Sequence, residues 1–254
     1  MLIQADAVGL EIRVAAFLSQ DPVLIKELVD GLDIHTDNQT RFGLPSRLIA
    51  KIFVFRLLYG GSAYSYANDP EFMEISKSEK YWQAIIDAYY EKYKGIKQWH
   101  IKLVREAVET GKVISATGRV YCFQKYNGNY KDTQIKNYIV QGTGADIMAL
   151  ARVSFFNRLK KLNYKDCLLV NTVHDSIVID FNPKTCDNNV LAKTLHDVFR
   201  DIPKNFEKLF LTPFNVPMEA EVQLGWRWSS RFEKVDGKLV EVDPLGMYVL
   251  KDKE

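Results

Sequence analysis

Nowhere does the chain contain a run of about 18 apolar residues, which excludes a membrane-spanning helix and argues against any membrane partner. Cysteine is scarce. Cys122, Cys167 and Cys186 are an odd set without the spacing of a metal site or a disulfide framework, so they read as free thiols of a reducing compartment. The opening MLIQADAVGLEIR has no basic flank ahead of its apolar residues and carries Asp6 early, which is unlike a secretory signal; a cytoplasmic protein is expected. Net charge is almost missing too. With 34 basic against 32 acidic residues the balance is +2, which neither demands nor excludes nucleic acid, because the field that matters is local. Internal repeats and low-complexity linkers are absent. What is present is 254 residues, 47% hydrophobic, enough for one large domain or two smaller ones around a substantial core.

Hydrophobic spacing predicts a strand over Leu2–Ala5 running into Asp6, a helix from about Gly9, and a second over Asp21–Leu32. Ser46 is a candidate cap and Gly60-Gly61 a stop for a helix over Arg47–Tyr59. Ser62–Glu79 reads as loop with some helix, and Glu79–Thr110 as a long helical region broken near Tyr93-Lys94-Gly95. A strand pair over Gly111–Tyr121 turns at Thr117-Gly118, and Asn127-Gly128-Asn129 marks another turn. A long helix follows over Asn137–Leu162. Then Cys167–Val173 and Ile177–Phe181 form a hairpin around His174-Asp175-Ser176, before a helix near Asn188–Asp201 and a strand near Val216–Leu224. Val235-Asp236-Gly237-Lys238 suggests a small hairpin in the tail. The order predicts an α+β fold with a large helical insertion.

Two features carry chemistry. Asp6 ends a strand and Asp175 sits at a hairpin tip; taken singly, each reads first as a cap or a turn residue. Taken together, two carboxylates at neighbouring strand ends of one sheet could hold two divalent cations roughly 3.5–4 Å apart and serve an in-line phosphoryl transfer. The second feature is Arg47, Lys51, Phe55 and Tyr59. Steps of four advance about 400°, so all four share one helix face that grades from cation to ring. A solvated basic edge beside a core stripe would explain it, and so would a grip on a triphosphate with a ring stacked on the nucleotide.

At these residues the chain resembles family A DNA polymerases. RLIAKIFVFRLLYGG is similar to the family's fingers-helix motif, ADAVGLEIRVAAFLSQDP to its first palm motif with Asp6, Glu11 and Arg13, and TVHDSIVI to its His-Asp hairpin. DIHTDNQ, GKVISATGR, NYIVQGTGADIM and the closing VPMEAEVQLGWRW resemble further segments, all in the family's order over residues 1 to about 228. The distance from DIHTDNQ to Arg47 resembles the shorter bacteriophage branch. The resemblance implies a polymerase palm, an antiparallel sheet with helices, over 1–18 and 113–228, a helical fingers insertion over 19–112, and a C-terminal extension over 229–254.

It also implies roles. Asp6, Asp175 and Lys51 would be the catalytic set; Asp6, Asp175 and the Ala7 carbonyl would hold two Mg2+ ions, with Mn2+ able to substitute. His35, Arg47 and Lys51 would bind the triphosphate of a dNTP, Phe55 would stack on the nucleotide, and Tyr59 would lie at the templating base. Glu11 would close the space a ribose 2′-hydroxyl needs; single-subunit RNA polymerases share the Asp, Arg, Lys and Asp but lack this Glu. Arg119, Asn137, Gln141 and His174 would contact primer-template DNA. His100 and His196 read as surface or packing residues, and Trp82, Tyr89, Tyr90, Tyr93 and Trp99 as packing of the insertion.

The chain departs from the family at Ser176, where Glu is usual, at Thr133, where an Arg usually faces the primer and Lys131 or Lys136 could substitute, and at Gly9. No thumb or 3′–5′ exonuclease signature is found, so no proofreading is expected. The implied partner is an upstream polypeptide bearing those parts, with Met1 favouring a separate gene product over a cut fragment, and the location is the cytoplasm, or the host cytoplasm if the chain is viral. A non-catalytic DNA-binding remnant is the rival reading, supported by Ser176 and opposed by intact Asp6, Asp175, Arg47 and Lys51.

Overall fold

A computed structural model describes residues 1–235 and 238–250. In chain order the elements open with strand β1 (Leu2–Ala7) and helix α1 (Leu10–Ser19). Helices α2 (Pro22–Val29), α3 (Ile34–Phe42), α4 (Arg47–Leu58), α5 (Ala63–Ala67), α6 (Pro70–Met73), α7 (Glu79–Lys92) and α8 (Lys94–Thr110) follow. Strands β2 (Lys112–Ile114) and β3 (Val120–Cys122) lead to the long helix α9 (Asp132–Leu162). The rest is β4 (Cys167–Val173), β5 (Ser176–Phe181), α10 (Asn188–Arg200), α11 (Ile202–Phe210), β6 (Ala220–Gly225), β7 (Phe232–Val235), β8 (Lys238–Glu241) and β9 (Tyr248–Val249). Helix starts are set by short polar caps: Asp21, Asp33, Ser46, Ser62, Asp69, Ser78 and Asp187 each accept hydrogen bonds from backbone N–H groups of the first turn.

The chain divides into two compact units. One comprises 1–10, 145–213 and 218–254 and is built on a five-stranded antiparallel sheet ordered β4-β5-β1-β6-β9. The period of 2 along β1 sends Ile3, Ala5 and Ala7 inward, where Ile177 and Ile179 of β5 and Val222 and Leu224 of β6 are also buried. α10 packs on β1 and β6 and buries Leu191, Leu195, Val198 and Phe199. The tail adds β9 to the β6 edge, and its β7–β8 hairpin is exposed. The tip expected at Asp236-Gly237 lies outside the described residues.

The other unit comprises 11–144 and 214–217 and is helical apart from the β2–β3 hairpin. Its core is aromatic: Phe53, Tyr66, Phe72, Trp82 and Tyr89 form a continuous set of ring contacts, so Trp82, Tyr89 and Tyr93 are packing residues as expected. A second cluster joins Leu103 and Ala107 of α8 to Val113, Phe123, Ile135 and Ile139. Gly142 in the QGTG segment has a steric reason: a Cβ there would lie 1.7 Å from the Tyr121 hydroxyl oxygen.

Several elements differ from expectation. α3 was not foreseen because IHTDNQTRF is polar; what makes it a helix is its ends, Asp33 as N-cap and Gly43 in the left-handed region at φ 64°. α11 was also not foreseen; it has a Pro in its first turn and closes on Leu211 at φ 55°. α9 begins at Asp132 rather than Asn137, β1 runs through Asp6 to Ala7, and β6 starts at Ala220, beyond Pro217, which has no N–H to give a ladder.

Candidate active site

The sheet brings the two aspartates to one end. Asp6 of β1 lies opposite Ser176 of β5, and the Ala7 N–H donates to the Asp175 carbonyl at 2.9 Å. Both carboxylates are on half-buried residues. Asp175 and His174 form the two-residue turn between β4 and β5, with His174 at φ 51°. A positive φ is uncommon outside glycine, and histidine is among the side chains that adopt it more readily, which suits so tight a turn. Ser176 is buried, and its hydroxyl donates to the Val173 carbonyl at 2.9 Å, closing the turn. On the far side of β1, Glu221 of β6 lies opposite Asp6, with its carboxylate accepting from Gln223 at 2.8 Å. Directly opposed residues of a sheet share a face, so Glu221 is an acid beside Asp6 that sequence spacing alone did not reveal; only strand register shows it. Hard oxygen donors of this kind suit Mg2+, which takes one or two carboxylates and completes its shell with water and substrate phosphate. Among the described residues, no group of three or more His, Cys, Asp or Glu side chains is gathered to hold a metal ion.

The second cluster lies in the helical unit. Ser46 caps α4, accepting from the Ile49 N–H at 3.1 Å, and Ala50, Phe53, Val54, Leu57 and Leu58 anchor the helix in the core. The opposite face leaves Arg47 and Lys51 exposed and Phe55 and Tyr59 half-buried. Lys51 Nζ lies 5.5 Å from the Phe55 ring centroid, and the His35 ring meets Phe55 edge-on at 5.6 Å. Asp33, not singled out from the sequence, ties this group together. Its Oδ1 accepts from the His35 and Thr36 N–H groups, while Oδ2 accepts from Arg47 Nε at 2.7 Å. Burial pushes its carboxyl upward, but the hydrogen bonds from Arg47 and Thr36 and the Arg47 charge outweigh that and hold it at about 2. His35 is buried, with Nδ1 lacking a partner; burial, then Arg47 and Lys51 against the opposing pull of Asp33, hold it at about 4, hence neutral at neutral pH.

A third group surrounds Tyr59. Its hydroxyl accepts from Gln141 Nε2 of α9, and burial, reinforced by the Glu11 carboxylate and opposed by the Gln141 bond, raises it to about 12. Glu11, Tyr59 and Gln141 are therefore neighbours, although 130 residues separate Glu11 from Gln141. Arg13 is buried and donates to the Pro217 carbonyl. Asn137 is half-buried one helical turn before Gln141, and Arg119 is exposed at the β2–β3 turn, where its backbone N–H donates to Ser115 Oγ at 3.2 Å. Of the candidate residues, the fold thus groups Asp6, Ala7, His174 and Asp175; His35, Arg47, Lys51 and Phe55; and Glu11, Tyr59 and Gln141.

Comparison with known proteins gives these groups a context. The family model described as DNA polymerase family A matches residues 1–230. DNA polymerase I of Aquifex aeolicus (strain VF5) is 29% identical over 236 residues, 89% of this chain and 38% of that protein. The thermostable DNA polymerase I of Thermus aquaticus is 29% identical over 247 residues, 92% of this chain and 27% of that protein. Among solved structures, the POL domain of Pol1 from M. smegmatis, in complex with DNA primer-template and dNTP, superposes with a TM-score of 0.73 over 87% of this chain and 38% of that one, at 21% identity. The chain therefore spans well under half the length of these relatives.

Proposed function

Because the chain belongs to DNA polymerase family A, we propose that it is the palm-and-fingers part of a template-directed DNA polymerase, adding dNMP to a primer 3′-OH with release of pyrophosphate. The observation that carries this reading is Asp6 and Asp175 at one end of the sheet, joined by the hydrogen bond from Ala7 N–H to the Asp175 carbonyl. Asp6 and Asp175, with the Ala7 carbonyl, would hold two Mg2+ ions. Bound there, the ions would supply charge neutralisation at the attacking and leaving oxygens.

The chain's own groups do the rest. Arg47 and Lys51 are exposed cations on consecutive turns of α4, fitted to the triphosphate, and the neutral His35 can donate one ring N–H beside them. Lys51 keeps positive charge on the phosphates as negative charge grows on the pyrophosphate. Phe55, with His35 at its edge and Lys51 near its face, would stack on the nucleotide, and its lack of a hydroxyl would disfavour dideoxynucleotides. Glu11 would exclude the ribose 2′-OH. Tyr59, held by Gln141, would sit at the templating base, and Arg119, Asn137, Gln141 and His174 would contact the duplex. The unit built on the sheet would be the palm, and the helical unit would carry the fingers.

The finer reading is a chain of the bacteriophage branch, on the short spacing from Asp33-Ile34-His35 to Arg47, working in the cytoplasm with an upstream thumb-bearing polypeptide; the relatives compared above are bacterial. Metal-dependent primer extension tests the activity: wild type should extend with Mg2+ and Asp175→Ala should not, and equal extension by the two would end this reading. Adding the upstream polypeptide should raise extension; no gain would remove it as a partner.

A further inference from the structure

The helical unit buries a histidine that the proposed reaction does not use. His100 of α8 is 4% exposed, and its Nδ1 meets the Tyr90 hydroxyl of α7 at 3.1 Å. Burial, then the Lys136 charge, against the opposing Leu58 carbonyl, hold it at about 3, so at neutral pH the ring is uncharged and carries one N–H. Nε2 is buried and short of a well-formed hydrogen bond, and the backbone group acting on the ring is that Leu58 carbonyl. Leu58 is the last residue of α4. The carbonyls before it are taken: Tyr59 N–H donates to Phe55 at 3.2 Å, Gly61 N–H to Arg56 at 2.7 Å and Gly60 N–H to Leu57 at 3.0 Å. Among the described residues no backbone N–H donates to the Leu58 carbonyl, which is the kind of orphan a helix C-terminus leaves. These partners assign the tautomer. With Tyr90 donating to Nδ1, the proton sits on Nε2 and faces the carbonyl; the other tautomer would set a nitrogen lone pair against the carbonyl oxygen.

We propose that His100 is a positioning residue for Tyr59: its Nε2–H holds the Leu58 carbonyl, and with it the Leu58–Tyr59 peptide plane from which the Tyr59 ring departs. A peptide unit is planar and stiff, so a bond to its carbonyl limits how the next residue can turn. From the other side α9 holds the same stretch. Gln141 donates to the Tyr59 hydroxyl, and a Cβ on Gly60 would lie 3.2 Å from Thr133 Cγ2 and 3.3 Å from Lys136 Cδ. Thus α9 fixes the tip of the ring and the residue after it, and His100 fixes the plane before it. The competing account is a histidine kept for packing, its ring 4.8 Å from that of Trp99. That account gives Leu58 no part, and a buried N–H without a firm acceptor is costly, so an apolar side chain of similar size would then serve as well or better. The inference rests on the polymerase reading for what Tyr59 touches, the templating base.

Three substitutions separate the two ring nitrogens. His100→Gln places an amide near Nε2, within reach of the Leu58 carbonyl; His100→Asn reaches only to the Nδ1 position and keeps the Tyr90 contact; His100→Leu has neither. Hydrogen exchange of the Gly60 and Gly61 amides in the full chain reads the end of α4 without any reaction. It should be about threefold faster in the Leu and Asn variants, the lower end of what one hydrogen bond contributes, and near wild type in the Gln variant. In primer extension, the ratio of kcat/KM for the paired dNTP to that for a mispaired one should fall about tenfold in the Leu and Asn variants and recover in the Gln variant. That is less than the roughly 10²-fold that a misplacement of about 1 Å costs. Long-range proton–nitrogen NMR spectra of the wild type should show the ring proton on Nε2. A proton on Nδ1, unchanged exchange in the Leu variant, failure of Gln to recover either readout, or altered exchange with an unaltered insertion ratio would each overturn the proposal. Should exchange follow the pattern while neither wild type nor any variant extends a primer, the polymerase reading fails and the hold of His100 on Tyr59 stands.

Discussion

Lys92 to Met is the most revealing single perturbation of the helical unit. Lys92, with its side chain 6% exposed, donates to Asp37 at 2.7 Å and pairs with Glu27 at 3.0 Å, while Tyr93 donates to the other Glu27 oxygen at 2.7 Å. The three charges tie α2, α3 and α7 together, and α3 begins with Asp33 and His35. Removing one partner of a buried pair costs about 3–5 kcal/mol, chiefly because the remaining charge is stranded. The Asp37 side chain is 29% exposed and Glu27 16%, so water replaces part of the ammonium, and the lower end, about 3 kcal/mol, is expected. Native-state hydrogen exchange reads this locally: opening of α3 and α7 at pH 7 should become roughly 10²-fold more frequent. The Lys92 hydrogen bond, against the opposing effect of burial, holds Asp37 below the ordinary carboxylate range in the fold, so the bond stabilises above that range and is lost as pH falls through the lowered value. The difference between variant and wild type should therefore persist down to about pH 4 and shrink only below it, as pH falls through the lowered value, and Glu27→Gln/Asp37→Asn in the variant should restore most of the loss. A cost under about 1 kcal/mol, or no recovery from neutralising both acids, would refute the stranded-charge argument.

Other expectations follow from the same geometry. Gly142→Ala drives a Cβ into the Tyr121 hydroxyl and should cost about 1–3 kcal/mol in thermal unfolding, partly recovered by Tyr121→Leu; full stability of the single variant would contradict the contact. Glu11→Ala should lower discrimination against ribonucleotides in primer extension to roughly 10²-fold or less, the level a pocket manages against an added hydroxyl; unchanged sugar selection would remove Glu11 from that role. His35 and His100 are held at about 4 and about 3, burial first in each case, and stay neutral in the fold while the unfolded chain takes up protons below about pH 6.5. Stability should therefore fall as pH drops from about 6.5 towards 4, and His100→Gln should flatten that slope; an unchanged slope would place the proton uptake elsewhere.

Much of this was legible in the residues because several local signals agreed. Ser46, the apolar period of Arg47–Leu58 and Gly60-Gly61 all mark one helix, and α4 spans it. The β-branched runs either side of His174-Asp175 left only a tight hairpin, and that is what forms. The misses share a cause. α3 has too few apolar residues for periodicity to find, and its stability comes from its two ends and from Lys92, 55 residues away from Asp37. Glu221 beside Asp6, and Gln141 on Tyr59, are products of register and tertiary packing, which spacing along the chain does not encode.

Asp33 shows why a binding surface is harder to read than a helix. In sequence it is one more acid before Ile34, and with no helix foreseen there its capping role was missed, although capping needs only the next three residues. In the fold the same carboxylate uses its second oxygen on Arg47, 14 residues on, so one side chain starts the helix that carries His35 and fixes the cation that faces the triphosphate in the proposed reaction. The two tasks are chemically separable. Ser at position 33 keeps a capping oxygen and gives up the charge, so a defect confined to nucleotide KM in Asp33→Ser would belong to Arg47 alone, whereas loss of α3 would lower kcat and stability as well. The first task needs only neighbouring residues; the second exists only once α3 and α4 are packed.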